Sequence, residues 1–74
     1  MSDAAQMDPK DWVRAYAVKL GVDPPTDEEF ETILNLAGVA AHSSERIAAP
    51  VACWLAGRSG KPLAEVRALA DEVA

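Results

Sequence analysis

One cysteine, one histidine and four aromatic rings are all that the chain holds of those types in 74 residues. Cys53 has no partner for an intramolecular disulfide, which excludes a disulfide scaffold of the secreted kind. His42 and Cys53 together are too few for a structural zinc site. Positive charge is scarce as well: seven Lys and Arg stand against twelve Asp and Glu, for a formal charge of −5. Nucleic-acid affinity needs clustered Lys and Arg over the phosphates, and no cluster occurs. An anionic membrane surface is disfavoured on the same ground. The uncharged run Ile47 to Gly57 has eleven residues, about half of a membrane span. Met1 to Met7 lacks the basic and apolar regions of a signal peptide. A cytoplasmic protein is the expectation, with residues 1–7 a disordered tail before a single helical domain over 8–74.

What is present is apolar but small. Half of the residues are hydrophobic, and 15 of those 37 are alanine. The core must therefore be small, and a protein partner or self-association is expected to matter to stability. The negative charge is concentrated in residues 1–37, whereas residues 38–74 balance to zero.

Four helical segments separate along the chain. Asp8-Pro9 reads as an N-cap followed by proline at the first helical position. Trp12, Val13, Tyr16, Ala17 and Leu20 then recur on one stripe, with Val18 opposite and exposed. Gly21 stands where a left-handed C-cap belongs. Pro24-Pro25 enforces a linker. Thr26-Asp27-Glu28-Glu29 is a capping box opening the second helix, whose apolar positions run from Phe30 to Ala41 and which should end near His42. The third segment, about 47–58, carries no charged or hydroxyl side chain between Ile47 and Gly57. A helix apolar all round is expected to be buried all round. Ile47, Val51, Trp54 and Leu55 make its bulky face, and Ala48, Ala52 and Ala56 a smooth one that lets another helix approach closely. Pro62 opens the fourth helix, lined by Leu63, Val66, Leu69, Ala70 and Val73. The expected fold is all-α: a compact four-helix bundle with a central buried third helix, Ala52 and Trp54 largely inaccessible.

Several patterns invite a chemical reading. His42 and Arg46, with Ser43, Ser44 and Glu45 between them, could form an anion site using free N–H groups at the start of the third helix. The plainer reading, and the preferred one, is a helix-to-helix connection, with a serine cap and Arg46 paired to Glu45 or a carboxylate of the second helix. Ser, His and an acid in succession do not make a triad, which needs an ordered geometry and an oxyanion site. Gly57-Arg58-Ser59-Gly60-Lys61-Pro62 has two residues between its glycines where a nucleotide loop needs four, and proline after the lysine. The acids Asp23 to Glu31 lack the calcium-loop spacing. Cys53 reads as a small core residue rather than a nucleophile. No catalytic residue, metal or cofactor is expected.

With Trp12, Leu20-Gly21, Leu34 to Ala37, His42, Arg46, Pro50 and the glycine-ended Trp54-Leu55-Ala56-Gly57 in view, the chain resembles a small bacterial family of helical domains of unknown function. Its members occur alone and as the C-terminal tail of proteins resembling the molybdenum-cofactor guanylyltransferase. The resemblance would span Trp12 to Val73, with Ile47 in place of a frequent proline and Trp54 in place of a smaller aromatic. It implies an accessory role beside molybdenum-cofactor biosynthesis and marks His42 and Arg46 as candidate contacts. It carries no activity across, since the guanylyltransferase's nucleotide loop is absent. The function expected is a non-enzymatic interaction or accessory domain; the alternative is a small-molecule or anion-binding module, and a stand-alone enzyme comes last.

Overall fold

The computed structural model describes residues 7–74; Met1–Gln6, most of the expected tail, lie outside the described residues. Four helices follow one another: α1 (Pro9–Leu20), α2 (Asp27–Ser43), α3 (Ala48–Ser59) and α4 (Leu63–Val73). Among the described residues there is no strand, and the fold is an all-α four-helix bundle.

The helix ends follow from local chemistry. The Asp8 carboxylate accepts from the Lys10 N–H at 2.8 Å, and Pro9 fills the next position, where a missing N–H costs nothing. Gly21 closes α1 with φ 77°, its N–H reaching the Ala17 and Val18 carbonyls. Thr26 and Glu29 exchange both bonds of the capping box, at 3.1 and 2.8 Å. Gly60 ends α3 at φ 71°.

Packing centres on α2, against which both α3 and α4 lie. Leu36 of α2, 4% exposed, and Val66 of α4 are buried side chains of this core. The smooth side of α3 faces α2: Ala48, Ala49, Ala52, Cys53 and Ala56 are half-buried. Helix α1 meets the start of α2, where Lys10 pairs with Asp27 at 3.3 Å and lies 5.5 Å from the centre of the Phe30 ring.

The expected burial of the third helix is overturned. No residue of α3 is fully buried, and Ile47 and Trp54 are 75% and 60% exposed. The reason is geometric. Alanines spaced by four let α3 come close to α2, and that contact turns the bulky side of the same helix outward. With α1 drawn to the far end of α2, no fourth element remains to cover it. The α1 stripe is also mostly uncovered: Ala17 is buried, Val13 is half-buried, and Trp12, Tyr16 and Leu20 are exposed, as Val18 is.

Candidate functional site

Helix α2 is flanked by α3 and α4, and between these two an apolar cleft of about 400 Å³ opens. Val39 and Ala40 form its floor, Leu55 and Ala56 one wall, and Leu69 and Val73 the other. The floor and walls descend from the i, i+3, i+4 spacing of apolar residues on each helix. Lys61, Ser43 and Ser59 supply the polar rim. Lys61 is held by Glu65 at 3.6 Å, and the Ser43 and Ser59 hydroxyls donate to the Val39 and Ala56 carbonyls, each at 2.7 Å. The rim groups are thus partly engaged within the chain, and the floor and walls offer a ligand apolar contact.

On the far side of α3 a second apolar surface runs along the helix. Ile47, Val51 and Trp54 project outward, with the Arg58 guanidinium stacked 5.2 Å over the Trp54 ring. Leu55, 54% exposed, joins this stripe to the mouth of the cleft.

His42 sits in the last turn of α2 and Arg46 in the turn leading into α3, both exposed. His42 borders a shallow groove with Gly38, Asp71 and Ala74, which adjoins the cleft through Val39 and Ser43; Arg46 borders neither. Arg46 makes no ion pair among the described residues, with Glu45 or any other acid, and the N-cap of α3 is Ile47, so no serine caps it. The Arg46 carbonyl accepts from the Ala49 N–H at 3.1 Å, starting the helical turn.

The remaining patterns resolve locally. Ser59 accepts from the Lys61 N–H at 3.1 Å, which closes the Gly57–Pro62 turn on itself. Asp27 and Glu29 are taken by Lys10 and by the capping box. No group of three potential metal ligands occurs among the described residues. Cys53 is half-buried with Sγ 4.0 Å from the Ile33 carbonyl, and burial raises its thiol pKa above the ordinary 9.0. A thiol so placed is a poor nucleophile at neutral pH. Among the described residues no helix is long and apolar enough to cross a membrane.

Sequence reasoning found the elements but missed the cleft and the stripe. The spacing of Ala48, Ala52 and Ala56 marks the packing side of α3, but whether its bulky side is covered depends on the neighbouring helices. No curated protein and no solved structure is matched by the chain. A family model matches residues 4–74: the chain belongs to the family described as a domain of unknown function, DUF6457.

Proposed function

We propose that this chain is a non-enzymatic interaction domain that binds a helical apolar segment in the cleft between α3 and α4. The single observation that carries this is the cleft itself, about 400 Å³, apolar on floor and walls, with its polar rim partly engaged within the chain. An apolar groove of that kind receives the hydrophobic face of an amphipathic helix. The family resemblance supports a place beside molybdenum-cofactor biosynthesis, as an accessory to a guanylyltransferase-like protein. Sedimentation of the chain mixed with such a protein from the same cell tests both parts. A complex that Leu69→Asp abolishes is expected. No complex would remove the molybdenum link, and a complex indifferent to Leu69→Asp would remove the cleft.

A second reading gives His42 and Arg46 an anion. It is favoured by the Arg46 guanidinium, which stands exposed with no acid paired to it among the described residues. Phosphate at a hundred times its dissociation constant would stabilise the fold by about 2.7 kcal/mol. The reading predicts a rise in melting temperature that Arg46→Ala removes; an unchanged melt in phosphate contradicts it.

A further inference from the structure

We infer that the helix received by the cleft is α1 of a second copy of this chain; this rests on the interaction-domain reading and names the occupant. Helix α1 carries an apolar stripe that its own chain leaves open. Trp12, Tyr16 and Leu20 recur every fourth residue and stay more than half exposed, and the Trp12 and Tyr16 rings lie 5.2 Å apart as one aromatic pair. A stripe at that spacing is the face that an amphipathic helix lays into an apolar groove. Within one chain the stripe and the cleft are kept apart. Lys10 holds α1 to Asp27, the first residue of α2, whereas Val39 on the cleft floor stands about 18 Å further along that helix. The α1 that fills the cleft therefore comes from another copy.

Charge selects α1 over an apolar helix of unrelated sequence. The cleft has Lys61 on its rim at the α3–α4 turn, and Asp71 lies near the end of α4, in the groove that adjoins the cleft through Val39 and Ser43. Along α4 these two charges stand about 15 Å apart. Helix α1 carries the opposite pair: Asp8 caps its start and Lys19 lies in its last turn, both exposed, at a separation of about 16 Å. At about 100° per residue, both fall within about 40° of the Trp12 edge of the stripe. With α1 parallel to α4 of the second copy, the stripe enters the cleft, Asp8 meets Lys61 and Lys19 meets Asp71. The reverse direction sets acid on acid and base on base, so the charges fix one orientation. Lys19 makes no ion pair among the described residues, and Lys61 and Asp71 are held only by surface pairs within α4 and its lead-in, with Glu65 and Arg67.

Sedimentation equilibrium of the full chain tests this with two variants, Tyr16→Asp in the stripe and Leu69→Asp in the cleft. The parent chain is expected to associate. Each variant alone should associate at least about thirtyfold more weakly, the loss of a central anchor. An equimolar mixture, one variant carrying a fluorescent label, should recover a complex that contains both. The intact stripe of the Leu69→Asp chain still fits the intact cleft of the Tyr16→Asp chain. Lys19→Glu and Asp71→Lys should each weaken the parent's association by about fivefold, and the two together should restore it. Helical circular dichroism checks every variant. If Leu69→Asp fails that check, Leu55→Asp on the opposite wall, 54% exposed, replaces it. A parent that stays monomeric at its highest soluble concentration overturns the pairing, and so does a mixture no more associated than its separate components. Both leave the cleft reading standing, which the complex with a guanylyltransferase-like protein judges separately. A parent complex unmoved by Leu69→Asp places the contact elsewhere, and a double reversal no tighter than the single ones removes the selection of α1; either overturns the inference.

Discussion

Thr26 and Cys53 show how much single side chains decide. The Thr26 hydroxyl and the Glu29 carboxylate satisfy two backbone donors that α2 would otherwise leave open. Thr26→Ala is expected to cost about 1 kcal/mol, read as a fall of about 4–8 °C in the melting temperature of a domain this size. Cys53 acts through burial. Its thiol pKa is raised in the folded chain, so the folded state holds that proton to higher pH than the unfolded state does. Stability from this group is thus complete below the unfolded pKa and declines as pH rises through the folded value. Thermal melts should fall more steeply above about pH 9 for the parent chain than for Cys53→Ala. Thiol reagents at pH 7 should label the native protein slowly and the unfolded protein fast; fast native labelling would contradict the packing of Cys53 beside Ile33. The ion pairs among the described residues carry little weight here, because they lie on the surface, where such pairs contribute at most about 1 kcal/mol.

At the scale of elements, α2 and not α3 organises the bundle. Leu36 is covered from both sides, whereas Val51 and Trp54 stay more than half exposed, with the Arg58 guanidinium over the Trp54 ring. Leu36→Ala should cost about 2–5 kcal/mol by opening a cavity. Val51→Ala, measured on dilute protein, should change stability by less than about 1 kcal/mol. Chemical denaturation of the two variants settles the order; an equal or larger loss from Val51→Ala would return the core to α3. The helices themselves were legible in the sequence because their ends are written locally, in Asp8-Pro9, Gly21, Thr26–Glu29 and Gly60. Which helix is enclosed was not legible. The charge-free run Ile47–Gly57 states that α3 avoids polar groups, but burial depends on how many neighbours exist, and four short helices leave that face without one. Of the candidate site, His42 and Arg46 could be named as residues. The cleft could not, because it is a property of three helices and not of any one segment.

For the whole molecule, the extents of 40 × 27 × 18 Å describe a slab about two helices thick. A slab of that depth leaves most side chains at least half open, and the fully buried apolar residues among the described residues, Ala17, Leu36 and Val66, come one each from α1, α2 and α4. The exposed apolar surface makes the fold depend on what covers it. The central claim is that α2 forms the core and α3 presents its bulky face outward. Native-state hydrogen exchange across the full chain tests it most directly. The slowest amides are predicted in α2 around Ile33 to Ala40, where both neighbouring helices pack. Slowest exchange in α3, from Ala49 to Ala56, would contradict it.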